Sequence, residues 1–285
     1  MDIIFIKQPL FYMFMSIVEL LDQIVLEKIK PHGDQVYHWI DFYRRVLSGT
    51  SHTFSHIELE TIARCNRSCE VCPTSKYSRS DGRMDEWLFK KIVDELAEID
   101  FKGKFSPHFY GEPLLDERLS ELMSYVREKL PESQIVIWTN GDLLTKEFFE
   151  ELIRNGIDKF IVSRYDENEF KLLDELEPKQ RKKIRLKKFS DESYLFNRGG
   201  LINPQHVRKI NKCYYPSNIV VIDYQGNVLL CCNDYQSRNV FGNLQLERLI
   251  DIWNKEQYKK IRKDTRKGKF DLEICKACTN THKKP

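Results

Sequence analysis

From His56 onward, short apolar runs alternate with segments whose apolar residues fall at helical spacing. "HIELET" (His56 to Thr61), "KFSPHFY" (Lys104 to Tyr110), "QIVIWTN" (Gln134 to Asn140), "KFIVSR" (Lys159 to Arg164) and "KIRLKKF" (Lys183 to Phe189) predict strands. Between them, Leu88, Ile92 and Leu96 share a helical face, as do Leu119, Met123, Val126 and Leu130. "TKEFFEELIRNG" predicts a further helix closed by Gly156, and a shorter one is expected near Phe170 to Leu176. Strict strand–helix alternation predicts βα units around a parallel sheet. If that sheet curls into a barrel, its chemistry sits at the C-terminal ends of the strands.

The two ends of the chain read differently. Residues 1–54 form a helical preamble, with Asp34 as the expected N-cap of a helix that ends before Gly49. Val36, Tyr37, Ile40, Tyr43 and Leu47 fall on one face of it. Nearer the start, the apolar run Pro9 to Val18 is too short for a membrane-spanning helix, which needs about 20 residues. It reads as a helix packed on the protein or a partner, or lying in a membrane interface. After Pro204, "NIVVIDYQGNVLLCC" predicts a hairpin turning at Gln225-Gly226. A helix through Leu246, Ile250, Trp253 and Ile261 follows, then "CKAC" (Cys275 to Cys278). The expected division is 1–54, 55–204 and 205–285.

The composition narrows the class. A chain of 285 residues at 41% hydrophobic content buries a substantial core without staples. A net charge of +3 with both signs plentiful gives no reason to expect nucleic acid. Basic residues thicken at Lys179 to Lys188 and Lys259 to Lys269. These are solvated surfaces, or they attract an anionic substrate or an acidic electron donor such as flavodoxin or ferredoxin. Eight cysteines in a chain of this size, two pairs of them tightly spaced, suit metal ligation in a reducing, cytoplasmic compartment better than disulfides.

"CNRSCEVC" places Cys65, Cys69 and Cys72 just after the first predicted strand. Structural zinc wants four protein ligands, whereas an iron–sulfur cluster held by three thiolates keeps one iron open to a chelating small molecule. The C-x3-C-x2-C spacing resembles that of the radical S-adenosylmethionine (SAM) enzymes. That resemblance implies a partial (β/α)6 barrel, a [4Fe–4S] cluster on these three cysteines, and SAM on its fourth iron. Reductive cleavage of SAM would then give a 5′-deoxyadenosyl radical that takes hydrogen from a substrate. Three more strand ends match the family. Gly111 and Glu112 of "YGEP" correspond to a motif that contacts SAM's ammonium, with Tyr110 in place of its first glycine. Asn140 of "WTNG" and Ser163 of "VSR" match positions that often meet SAM, and Arg164 is a candidate for a carboxylate or phosphate. Val71 stands where the family usually carries an aromatic residue near adenine.

Cys213, Cys231, Cys275 and Cys278, with Gly226 five residues before Cys231, resemble the SPASM/twitch extension of these enzymes. The resemblance implies that they hold a second, fully ligated [4Fe–4S] cluster. Cys232 is left over; strand alternation turns it to the opposite face from Cys231, as a buried small hydrophobe or as a hydrogen-atom donor. Twitch dehydrogenases that oxidise a cyclitol share this cysteine layout, so oxidation of a sugar or cyclitol alcohol, with the auxiliary cluster as acceptor, is the leading expectation. Asp234, Tyr235 and His108 are candidate bases near the carbinol oxygen, and Arg198 is a further candidate anion binder. The alternatives are redox-neutral epimerisation using Cys232, modification of a peptide, and a non-enzymatic zinc scaffold.

Overall fold

The computed structural model describes residues 33–79, 81–164, 170–190 and 193–279. The apolar run Pro9 to Val18 lies outside these residues. Helix α1 (Gly33–Leu47) leads into strand β1 (His56–Leu59), and four βα steps follow. They are α2 (Glu86–Glu98), β2 (Lys104–Ser106), α3 (Leu119–Lys129), β3 (Gln134–Thr139), α4 (Lys146–Arg154), β4 (Lys159–Arg164), the short α5 (Leu172–Glu175) and α6 (Pro178–Arg181), and β5 (Ile184–Lys188). A small pair, β6 (Tyr194–Leu195) and β7 (His206–Val207), precedes α7 (Tyr215–Asn218) and the hairpin β8 (Ile219–Ile222) and β9 (Asn227–Leu229). Strand β10 (Val240–Asn243), α8 (Leu249–Asn254), α9 (Glu256–Arg266) and α10 (Glu273–Thr279) complete the described chain.

Eight strands make one open sheet in the order β10-β9-β8-β1-β2-β3-β4-β5. From β8 to β5 all neighbours are parallel, which gives the six-stranded partial barrel. Its sixth parallel strand is β8, drawn from the C-terminal region to lie against β1, with Glu58 opposite Val221. Side chains alternate across the sheet. Ile57, Leu59, Phe105, Ile135, Ile137, Phe160, Val162, Val220 and Ile222 point outward into the helix-covered core. There they meet Leu88, Ile92 and Leu96 of α2 and Leu119, Met123 and Val126 of α3. Each such buried side chain contributes about 1.5–3 kcal/mol. The inward face of β1 instead carries His56, Glu58 and, just beyond the strand, Glu60, all buried.

Two local expectations are corrected. Tyr43 and Leu47, assigned to an apolar face of α1, are 44% and 71% exposed. The face that packs is polar: His38, Asp41 and Arg45 are buried. Arg45 donates to the carbonyls of Thr53 (2.6 Å) and Ser217 (2.9 Å) and to Asn218 Oδ1 (2.5 Å), and Asp41 accepts from Ser55 Oγ (2.6 Å). Orphan groups at the N-terminal rim of the sheet need hydrogen-bond partners more than apolar cover. The expected helix through Leu246 and Ile261 is two helices, because Lys255 adopts an extended conformation (ψ 134°) between α8 and α9. Leu246 precedes them and is 86% exposed.

Candidate active site

Cys65, Cys69 and Cys72 sit on the loop that leaves β1, and local bonds hold that loop in shape. The Cys72 amide donates to the Cys69 carbonyl (2.9 Å), and the Arg67 amide donates to Cys65 Sγ (3.5 Å). Burial, then the neighbouring Cys72, pushes the Cys69 thiol up to about 11, and burial raises Cys65. Such mutually opposed thiols gain most from ligating a multivalent cationic centre as thiolates.

The next strand end closes on this loop. A Cβ on Gly111 would stand 1.8 Å from the Ile62 carbonyl oxygen, so only glycine lets the β2 turn approach the chain leading to Cys65. The Glu112 amide then donates to the Arg64 carbonyl (2.8 Å). The Glu112 carboxylate is buried and accepts from Thr139 Oγ1 (2.6 Å), the Asn140 amide (2.9 Å) and the Leu114 amide (3.2 Å). Asn140 in turn donates from Nδ2 to Asn66 Oδ1 (2.8 Å), between the first two cysteines. Arg164, at the end of β4, donates to the Asn140 carbonyl (3.0 Å) and Asp142 Oδ1 (3.1 Å); Ser163 is buried beside it. The structure therefore brings Gly111, Glu112, Asn140, Ser163 and Arg164 to one rim with the three thiols.

The second set is enclosed. Cys213, Cys231, Cys275 and Cys278 line one cavity, walled by Phe196, Ile210, Leu230, Phe270 and Ile274. Cys275 and Cys278 lie three apart on α10 and so share a face. Amide donors from Tyr215, Asn233 and Gly199 are aimed at the sulfurs of Cys213, Cys231 and Cys278. Burial, then the other cysteines, drives these thiols upward, Cys275 to about 12; burial takes Cys278 to about 11. Four sulfurs, amide donors to them and dry walls fit a closed [4Fe–4S] ligand set. Among the described residues no group of three or more His, Cys, Asp or Glu side chains is placed to hold a single metal ion.

Comparison with known proteins follows the same two-part division. Residues 59–189 match the radical SAM superfamily and residues 213–279 match the SPASM iron–sulfur cluster-binding domain. An S-adenosyl-L-methionine-dependent 2-deoxy-scyllo-inosamine dehydrogenase from Niallia circulans is 37% identical over 236 residues, covering 80% of this chain and 93% of that protein. The chain belongs to the radical SAM superfamily. A tungsten-containing aldehyde ferredoxin oxidoreductase cofactor-modifying protein from Pyrococcus furiosus is 35% identical over 109 residues, covering 36% of this chain and 28% of its own. The crystal structure of BtrN in complex with AdoMet and 2-DOIA superposes with a TM-score of 0.74 at 35% identity, over 80% of this chain and 92% of that one. BtrN in an open conformation gives 0.65 at 32% identity, over 80% and 93%. As a radical SAM oxidoreductase with a SPASM domain, the protein works with SAM and with an auxiliary [4Fe–4S] cluster besides the SAM-cleaving one.

Between the two cysteine sets lies the interior of the radical SAM barrel, whose most informative residue the sequence reading passed over. Glu58 on β1 is 8% exposed, and burial raises its carboxyl to about 7 against the opposing pull of Arg198 and Lys104. Cys232 turns to this side, packed near Tyr110 and Val221, while Cys231 packs on the opposite core. Burial, then Glu58, raises the Cys232 thiol, and the Tyr110 hydroxyl donates to the Cys232 carbonyl (2.8 Å). His108 stacks on Trp138 with ring centroids 5.9 Å apart, and burial followed by Arg198 lowers it to about 3. His108 Nδ1 and Trp138 Nε1 are buried with no hydrogen-bond partner among the described residues. Toward the surface, Arg198, Asn233, Asp234 and Tyr235 line a cavity of about 350 Å³. The sequence signal for Glu58 was the polar alternation in "HIELE". A strand buried on both faces is ordinarily apolar throughout, so three polar residues at period two mark a lined interior.

Asp234 and Tyr235, read from the sequence as candidate bases, are engaged in structural contacts. The Asp234 carboxylate accepts from the amides of Arg238 (3.0 Å) and Asn239 (2.8 Å) and from Asn239 Nδ2 (3.1 Å), shaping its own turn. The Tyr235 hydroxyl donates to the Tyr77 carbonyl (2.7 Å), and its ring shares the Arg79 guanidinium with Phe109. Arg79 also pairs with buried Glu60. Burial and then Arg198 hold His108 neutral.

Proposed function

We propose that this protein oxidises a secondary alcohol of a small polyol, an aminocyclitol such as 2-deoxy-scyllo-inosamine, to the ketone. Cys65, Cys69 and Cys72 hold the SAM-cleaving cluster, and Cys213, Cys231, Cys275 and Cys278 hold the auxiliary one. With these groups bound, SAM cleavage would supply the radical that takes hydrogen from the carbinol carbon, and the cluster on Cys213, Cys231, Cys275 and Cys278 would supply the electron acceptor. The residues supply position and proton transfer. Gly111, Glu112, Asn140, Ser163 and Arg164 shape the SAM side of the rim. The unpartnered His108 Nδ1 and Trp138 Nε1 meet substrate hydroxyls. Arg198 and Glu58 face the reacting centre, and Glu58 takes the proton from the carbinol oxygen as the carbonyl forms.

The observation that carries this reading is the placement of the buried Glu58 carboxyl on the inward face of β1, on the side of the sheet to which Cys232 turns; burial also raises that carboxyl to about 7. Groups poised near working pH serve general acid–base chemistry best. Eight free cysteines support a reducing cytoplasmic setting. No helix among the described residues is long and apolar enough to cross a membrane. The basic stretch around α6 and β5 suits an acidic one-electron donor such as flavodoxin or ferredoxin.

The test is anaerobic turnover with SAM, a one-electron reductant and 2-deoxy-scyllo-inosamine. One ketone should form per 5′-deoxyadenosine. Deoxyadenosine without ketone would overturn the proposal. Cys232, facing the same interior as Glu58, supports a second reading: hydrogen return to the substrate radical, giving an epimer. Solvent deuterium in an unoxidised product would establish that outcome instead.

A further inference from the structure

The loop bearing Cys65, Cys69 and Cys72 has no strand or helix between its first two cysteines. Something outside it must fix its path. The two residues there that make long-range contacts are Asn66 and Arg67, and both converge on Asp142, just past β3. Arg67 grips the Asp142 carboxylate with two parallel bonds, Nε to Oδ2 and Nη2 to Oδ1, each 2.5 Å. Asn66 Nδ2 adds a third bond at 3.3 Å. From β4, Arg164 Nη1 reaches Oδ1 at 3.1 Å. The Asp142 amide donates to Asn140 Oδ1 (2.9 Å), whose Nδ2 returns to Asn66 Oδ1 (2.8 Å). One carboxylate thus ties the cysteine loop to the ends of both β3 and β4. The Arg164 side chain is 7% exposed, whereas Arg67 (18%) and Asp142 (29%) meet at the solvent edge of the rim, so that pair draws its definition from its two-bond geometry rather than from burial. Bidentate arginine–carboxylate pairs add geometric definition as well as energy.

We propose that Asp142 is a positioning residue for the SAM-cleaving site, acting through Arg67 and Asn66 on the cysteine loop and through Arg164 on the opposite wall. This rests on Cys65, Cys69 and Cys72 being the ligands of that cluster. Asp142 touches neither the cluster ligands nor the interior around Glu58, so its effect should appear in how SAM meets the iron and not in the proton transfer.

The test compares wild type, Asp142→Asn, Asp142→Glu, Arg67→Ala and the Arg67→Ala/Asp142→Asn double variant, all reconstituted anaerobically. Asp142→Asn should weaken SAM binding by about tenfold or more, as expected when a bidentate charged pair is lost. It should also broaden the SAM-dependent change in the EPR spectrum of the reduced cluster, while the about four irons of the auxiliary set remain. Asp142→Glu should recover most of the affinity. The double variant should be no worse than Asp142→Asn alone, because removing the carboxylate's charge already weakens the Arg67 contact. SAM affinity and EPR line shape within about twofold of wild type in Asp142→Asn would overturn the proposal, as would multiplying effects in the double variant. So would loss of both clusters together with the fold. Failure of the ligand assignment looks different: Cys65→Ala would keep a SAM-responsive cluster whatever stands at position 142.

Discussion

The two cysteine sites differ in what surrounds them more than in the number of sulfurs. The first lies on an irregular loop at the barrel rim, framed by Glu112, Asn140, Asp142 and Arg164. The second is sunk between α10 and the β8–β9 hairpin behind aromatic and aliphatic walls. A polar rim with three thiols admits a charged ligand. A dry pocket with four thiols excludes one, which suits electron transfer. The environment, not the cysteine count alone, separates a polar rim from an apolar-walled pocket.

Cysteine replacements break the comparison most directly. Cys65→Ala should reduce 5′-deoxyadenosine formation to background, with iron falling from about eight to about four per chain. Cys275→Ala should spare SAM cleavage and abolish the ketone. Equal loss of both activities in the two variants would contradict the division of labour.

Glu58→Gln should lower ketone formation by about 10²–10³-fold while leaving SAM binding intact. In the wild type the rate should rise with pH through about 7 as Glu58 loses its proton, and that limb should vanish in the variant. Stability moves the other way. The folded-state value lies above that of the unfolded chain, so the wild type loses stability as pH climbs from about 4.5 to about 7. Glu58→Gln should therefore be more stable than wild type by up to about 3 kcal/mol at pH 8, and nearly equal at pH 4.5. Chemical denaturation at the two pH values reads this directly.

Gly111→Ala forces a methyl group onto the Ile62 carbonyl and should cost about 1–3 kcal/mol, read as a lower melting temperature and weaker SAM binding. Cys232→Ala sharpens the comparison with the smallest effect. Ketone formation should fall less than about threefold, since this thiol is not a cluster ligand and dehydrogenation needs no hydrogen donor. A complete loss would favour epimerisation.

Elements with strong periodicity were legible in the sequence. The five strands from His56 to Phe189 and the hairpin at Gly226 stand where the pattern put them. Cys65, Cys69 and Cys72 were close in sequence, while the gathering of Cys213, Cys231, Cys275 and Cys278 around one cavity was expected only from the resemblance to the SPASM/twitch extension. What escaped was set by long-range pairing. That β8 docks in parallel against β1 leaves no local trace. The polar anchoring face of α1 was hidden because Arg45 finds its partners about 172 residues away, in Ser217 and Asn218. Glu58 could be singled out only once β1 was known to be buried on both faces. Asp234 and Tyr235 looked chemical in isolation, and only the turn and the Tyr77 contact reveal their structural duties.

The docking of β8 beside β1 has a mechanical consequence. The loop of the first thiol set grows from one strand, and Cys231 lies just past the hairpin that begins with its hydrogen-bonded neighbour. The spacing between the two thiol sets is thus set by a shared ladder of peptide bonds rather than by a hinge.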